Sequence, residues 1–176
     1  MDCNWKQLKI SVISHAATVI TLGMMFTSAL MTWKLLMCIT GSEFPLIAVV
    51  SGSMEPGFTR GDLFLLYTSK DPIHAGEIVV FNVEGLEIPI VHRVIRVHEH
   101  QDTGEVGFLT KGDNNYGDDS FLYGKGQTLL KQHQIIGRAI WFLPYAGYFT
   151  ILMTETPLIK YILVGAVGLL AIISRG

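Results

Sequence analysis

Glu77-Ile78-Val79-Val80-Phe81-Asn82-Val83-Glu84-Gly85-Leu86-Glu87-Ile88-Pro89-Ile90-Val91-His92-Arg93-Val94-Ile95-Arg96-Val97-His98 holds two strand-like runs joined by a glycine-containing connection. The first run, Glu77 to Val83, is dense in β-branched and aromatic side chains, and Val83-Glu84-Gly85-Leu86-Glu87 reads as a tight hairpin connection. The second run, Glu87 to Val97, puts Ile88, Ile90, His92 and Val94 on one face and Val91, Arg93, Ile95 and Val97 on the other. His92 therefore falls among apolar neighbours. Pro89 brings no N–H to a ladder, which points to an edge position or a bulge at that place.

The same chemistry continues on both sides of this hairpin. Leu46 to Val50, Asp62 to Tyr67, Val106 to Thr110 and Ile135 to Phe142 are further short β-like runs separated by turn residues. No amphipathic helix of ten residues interrupts the series. Parallel strands need crossover segments that this stretch lacks, so the expected fold is mainly β, an antiparallel domain over residues 44–155.

Charge separates this middle from its flanks. Of 176 residues, 49% are hydrophobic and only 16% charged, against roughly a quarter in soluble globular chains. Residues 44–155 carry 8 Lys/Arg and 13 Asp/Glu, whereas the flanks carry 5 and 2. The net charge of −2 gives no basic footprint for phosphate backbones, which argues against a nucleic-acid partner. Cys3 and Cys38, on either side of one apolar stretch, do not suggest a disulfide framework.

That stretch, Ile10 to Trp33, has 24 residues without Asp, Glu, Lys or Arg, enough for the roughly 30 Å hydrocarbon core of a bilayer. Lys6 and Lys9 precede it and Lys34 follows Trp33, so the positive-inside rule expects a cytosolic N-terminus over residues 1–9 and a signal anchor over residues 10–34. A cleaved signal peptide fits less well, because the stretch is long and ends in Thr32-Trp33-Lys34 rather than small residues. The second apolar flank, Tyr161 to Ser174, is short for a span. It is expected as a short C-terminal helix over residues 158–174, tilted or partly inserted, interfacial, or packed on partner subunits; Gly165 and Gly168 would permit close approach of another backbone. Leu143, Tyr145, Tyr148 and Phe149 read equally as core or as a patch resting on the lipid surface.

Three polar places could carry chemistry: Ser51-Gly52-Ser53-Met54-Glu55-Pro56, Val91-His92-Arg93, and Lys111-Gly112-Asp113-Asn114-Asn115-Tyr116-Gly117-Asp118-Asp119. They contain a hydroxyl nucleophile, a base and carboxylates that could orient that base. Taken alone, each has a plainer reading: turn hydroxyls at Ser51 and Ser53, a hydrogen-bonded sheet histidine at His92, and Asx-turns in the Asp/Asn run. Spacing does not choose among Asp113, Asp118 and Asp119 as the partner of His92. Metal binding finds little support. The segment from Asp113 fails the calcium-loop pattern, with Asp118 where its glycine belongs and Gly124 where its bidentate glutamate belongs. His98, Glu99, His100 and Asp102 are too closely spaced for a defined zinc site and read as a solvated hairpin tip.

The chain order Ser, His, Asp differs from those of chymotrypsin, subtilisin and the α/β-hydrolases, and Ser53 is not in a G-x-S-x-G elbow. The run from Val49 to Phe58 with Arg60-Gly61-Asp62, then Ile88-Pro89-Ile90-Val91-His92-Arg93-Val94, then Thr110-Lys111-Gly112-Asp113-Asn114-Asn115 resembles the type I signal peptidases over nearly the whole chain. It is similar to their endoplasmic reticulum branch, the catalytic subunits of eukaryotic signal peptidase complexes, because bacterial relatives have lysine at the position aligned with His92. The serine motif alone also resembles self-cleaving repressors, which carry a helix-turn-helix domain where this chain has its anchor.

The resemblance implies Ser53 as nucleophile, His92 as general base and Asp119 as third member, with Asp113 supporting the site and Ser51 assisting an oxyanion hole. It also implies cleavage of signal peptides after small residues, other complex subunits and the lipid bilayer as partners, and no metal or organic cofactor. The expected location is the endoplasmic reticulum membrane, single-pass type II, with the β-domain in the lumen. A reading from another class is a catalytically silent, membrane-anchored β-module that binds or scaffolds secretory peptides.

Overall fold

The computed structural model describes residues 2–86, 88–99, 104–124 and 126–173, in two units, Met1–Ile39 and Thr40–Gly176. Glu87, His100, Asp102 and Ser174, named above, lie outside the described residues. In the first unit a single helix, α1 (Asp2–Thr40), exposes apolar side chains such as Ile13, Val19, Met25 and Met31 all round its circumference. Its Lys9–Thr40 portion is long and apolar enough to cross a membrane; 32 residues rise about 48 Å. The helix passes Lys34 because Leu35-Leu36-Met37-Cys38-Ile39 contains no breaker, and it stops where Gly41 takes φ 66°.

Among the described residues the second unit is built on seven antiparallel strands: β1 (Leu46–Ala48), β2 (Leu63–Tyr67), β3 (Ile78–Phe81), β4 (Ile90–Glu99), β5 (Val106–Lys111), β6 (Leu130–Lys131) and β7 (Ile135–Leu143). They form one curled sheet in the order β1-β2-β7-β3-β4-β5-β6. The expected mainly β, antiparallel class is what the chain adopts. The central strand β3 is buried at all four positions because its two faces serve different cores. Val79 and Phe81 pack with Val94, Phe108, Tyr123 and Leu130, whereas Val80 packs with Val49, Phe64 and Leu66. Each fully buried side chain of this size contributes on the order of 1.5–3 kcal/mol.

The hairpin of the opening stretch pairs Val79 with His92 and Phe81 with Ile90. Its turn is closed by the Leu86 N–H donating to the Val83 carbonyl at 3.1 Å, and Gly85 supplies the positive φ of 90° that an L side chain would resist. Three details differ from expectation. Pro89 precedes β4 rather than interrupting it, so an internal strand tolerates it, and Ile88 lies outside the ladder at 63% exposure. The register shift falls later, between Val94 and Arg96, and the inside-out alternation of β4 is lost there: residues 95–99 are all exposed. The two-residue strand β6 is too short to stand out from its neighbours in sequence.

Beyond β7 the chain forms α2 (Tyr148–Glu155) and α3 (Pro157–Ile173). The expected C-terminal helix covers α3 only. The helix α2 escapes a pattern reading because Tyr148-Phe149-Thr150-Ile151 is rich in β-prone residues and buries only Ile151. Proline at 157 explains the 102° bend between the two helices. It disfavours helical geometry at Thr156, which sits at φ −122° and ψ 83°, while itself needing no N–H at the first position of α3. Leu143, Tyr145, Tyr148 and Phe149 are all exposed, so the core reading of that patch is set aside.

Candidate active site

Ser53 lies in a loop whose base is tied shut. The Val49 N–H donates to the Asp62 carbonyl and the Gly61 N–H to the Val49 carbonyl, both at 2.8 Å. Asp62 is buried, and its carboxylate accepts the N–H groups of Thr59 at 2.9 Å and Tyr145 at 3.2 Å. Within the loop the N–H groups of Glu55 and Phe58 donate to the carbonyls of Gly52 and Met54. Met54 is fully buried, which leaves Ser51 and Ser53 presented outward with their hydroxyls 3.2 Å apart.

His92 arrives from β4. The alternation that turns Val94 inward does the same to His92, which is 5% exposed and stands edge-on to the Phe81 ring at 6.4 Å between centroids. Its Nδ1 lies 2.6 Å from Asp119 Oδ2. A carboxylate only accepts, so Nδ1 carries the hydrogen and the neutral ring keeps Nε2 as its basic nitrogen. Asp119, 0% exposed, is held by its own N–H donating to the Thr110 carbonyl at 2.9 Å. Its Oδ2 also accepts the Thr110 hydroxyl at 2.6 Å.

The Lys111–Asp119 segment docks on the serine loop. Asn114 donates from its backbone N–H to the Ser53 carbonyl at 2.8 Å and from Nδ2 to the Gly52 carbonyl at 3.1 Å. Asp113 does not touch His92; Arg93 Nε and Nη2 grip it bidentately at 2.9 and 2.7 Å. The guanidinium holds the Asp113 carboxyl below its ordinary range, against a smaller opposing effect of burial, and Arg93 is raised in turn. Asp118 turns instead to Ser120, accepting its N–H and hydroxyl. Lys111 donates to the Gly112 carbonyl at 3.2 Å.

These segments enclose a cavity of about 620 Å³ lined by Ser51, Ser53, His92 and Asn115 on its polar side, and by residues such as Ile47, Val50 and Ile90 on its apolar side. The volume suits an extended peptide segment or a small organic ligand. The Ser53 hydroxyl bonds to Ser51 rather than to the imidazole among the described hydrogen bonds; nucleophile and base often close up only when substrate is bound. Among the described residues no three His, Cys, Asp or Glu side chains gather as a metal site.

The Peptidase S24-like family model matches residues 16–140. The signal peptidase complex catalytic subunit SEC11C of Rattus norvegicus is 55% identical over 173 residues, covering 98% of this chain and 86% of its own. The chain belongs to the SEC11 signal peptidase family. Human SEC11C is 54% identical over the same coverage, and the SEC11 subunit of Fusarium vanettenii is 45% identical over 91% of this chain and 93% of its own.

Within this SEC11-family site, the structure brings Ser51, Ser53 and His92 to one cavity, with the buried Asp119 hydrogen-bonded to His92 and Asp113 paired with Arg93 instead. Sequence reading assigned no part to Thr110, Tyr123 or Asn114. For Thr110 a signal existed: in β5 it shares the inward face with Phe108, so a hydroxyl occupies an apolar register position.

Proposed function

We propose that this SEC11-family chain is a membrane-bound serine endopeptidase that removes signal peptides from preproteins, with Ser53 as nucleophile, His92 as general base and Asp119 as the group that orients it. The observation that carries this reading is the 2.6 Å His92–Asp119 contact on the wall of the cavity that also holds Ser53. Neutral His92 takes the Ser53 proton as the hydroxyl attacks the peptide carbonyl. The imidazolium, stabilised by Asp119, then protonates the leaving amine. Water attacks the resulting ester with His92 again as base, and Ser53 is released. The Ser51 hydroxyl, beside Ser53, donates to the oxyanion.

The substrate enters extended. The apolar wall at Ile47, Val50 and Ile90 accepts alternate side chains, and β1, at one end of the sheet order, offers an edge for strand pairing. Lys6 and Lys9 ahead of the apolar stretch support a cytosolic N-terminus with the β-domain in the lumen of the endoplasmic reticulum. Residues 10–34 anchor the enzyme beside substrates in the same bilayer, which raises their effective concentration. Like its named relatives, the chain works with other subunits of a signal peptidase complex.

The test is cleavage of a preprotein in detergent by the assembled complex carrying Ser53→Ala. Cleavage should be abolished while assembly and thermal midpoint stay unchanged. Unaltered cleavage would favour a silent peptide-binding module instead.

A further inference from the structure

Beside the proposed base lies a buried hydroxyl pair that the mechanism above leaves unused. We propose that Thr110 is a positioning residue for hydrolysis, holding Asp119 and through it the His92 imidazole, with Tyr123 fixing the direction in which Thr110 donates. This deepens the reading of His92 as general base and rests on it.

The proton directions follow from the inventory of donors. Asp119 Oδ2 accepts both the imidazole Nδ1–H and the Thr110 hydroxyl at 2.6 Å, so the single Thr110 hydroxyl proton is committed to the carboxylate. Thr110 Oγ1 is also 2.8 Å from the Tyr123 hydroxyl, and with its own proton spent it accepts there. Tyr123 donates its proton to Thr110 Oγ1 while its oxygen accepts the Thr110 backbone N–H at 2.8 Å. Each proton has one place to go. Thr110 and Asp119 are 0% exposed and Tyr123 is 2% exposed, so water does not compete with these bonds.

The carboxylate depends on this hydroxyl. Its other oxygen, Oδ1, is buried without a hydrogen-bond partner among the described residues. Among the described residues, side-chain stabilisation therefore converges on Oδ2 from Thr110 and His92. Strand register supports the arrangement: Thr110 pairs with Val94, two residues along β4 from His92 on the same face. A β-branched residue there has restricted χ1, which suits a fixed donor. Burial holds the Tyr123 phenol above its ordinary value and keeps it a donor.

The groups facing His92 are few. Val79 and Phe81 of β3 are apolar, Asp119 and Thr110 face it from β5 and the loop beyond, Ser53 lies across the cavity, and Asp113 contributes a charge already paired with Arg93. Removing the Thr110 hydroxyl leaves more of the Asp119 charge to hold the imidazolium, so the rising limb of the rate moves to higher pH.

The experiment uses the assembled complex with a preprotein substrate, comparing wild type with Thr110→Val, Thr110→Ser and Tyr123→Phe, and with Ser53→Ala as reference. Thr110→Val should lower kcat about tenfold or more, leave KM within about twofold and shift the limb upward, while Thr110→Ser retains kcat within about threefold and leaves the limb in place. Wild-type kcat in Thr110→Val, or an equal loss in Thr110→Ser, overturns the inference. If Thr110→Val does not assemble, Tyr123→Phe decides, with a fall of about threefold and the same direction of shift expected and wild-type behaviour overturning it. Retained cleavage in Ser53→Ala would instead overturn the parent reading.

Discussion

The Asn114 backbone N–H donates to the carbonyl of Ser53 at 2.8 Å, so the loop that carries Asp119 also fixes the residue proposed as nucleophile. The Asn114 side chain adds a second bond to Gly52. Nucleophile and carboxylate, 66 positions apart in sequence, are thereby set by one docked segment rather than by two independent loops.

Gly112 is the tight point of that dock. A Cβ there would lie 2.8 Å from the Ser53 carbonyl and 2.7 Å from Asn115 Nδ2, and the backbone carbonyl cannot swing aside. Gly112→Ala should therefore lower kcat by about a hundredfold through displacement of Ser53, while the sheet, whose cores lie elsewhere, keeps its thermal midpoint within a few degrees. Steady-state cleavage and thermal denaturation of the variant complex test this.

The Arg93–Asp113 pair predicts an acid sensitivity. The Asp113 carboxyl is held below the unfolded value near 3.9, so its stabilisation is fully present above about pH 4 and disappears as pH falls through the lower folded value. The two side chains are 34% and 24% exposed, so screening limits the effect to about 1 kcal/mol. Denaturant midpoints measured from pH 7 down to pH 3 should fall less steeply for Asp113→Asn than for wild type, with the two curves converging at the acid end.

Arg60 and Glu155 form an ion pair at 2.5 Å, but both side chains are about half exposed. Such pairs contribute about 0–1 kcal/mol. Arg60→Ala is expected to leave kcat unchanged and to shift the thermal midpoint by no more than a few degrees, despite its position next to Gly61 at the base of the serine loop. A large loss of cleavage would assign Arg60 a role in substrate binding.

How much of this was legible in the sequence depends on the range of the interaction. Period-two alternation and the Val83–Leu86 turn are local, and they gave the antiparallel class and the positions of six of the strands to within a few residues, β6 excepted. The break at Pro89 was placed too far inside β4, because a proline constrains only its own N–H and does not reveal where the ladder starts. The helix α2 was missed because it is only eight residues long and opens on the β-prone run Tyr148-Phe149-Thr150-Ile151. At the site, the three polar motifs were visible as motifs, and the roles of Ser53, His92 and Asp119 came from resemblance. Spacing alone left Asp113, Asp118 and Asp119 equivalent. What separates them is tertiary: Arg93 claims Asp113, Ser120 claims Asp118, and Asp119 is left facing the imidazole. The Thr110–Tyr123 contact spans 13 positions and has no signature beyond a hydroxyl on an apolar strand face.

The most direct test of the account is a double-mutant cycle on Ser53 and His92, read by single-turnover cleavage of a preprotein by the assembled complex. Groups that act as one nucleophile–base unit are strongly non-additive. Ser53→Ala, His92→Ala and the double variant should therefore all fall to the same residual rate, at least about a thousandfold below wild type. Losses that multiply in the double variant, or either single variant cleaving at the wild-type rate, would contradict the account.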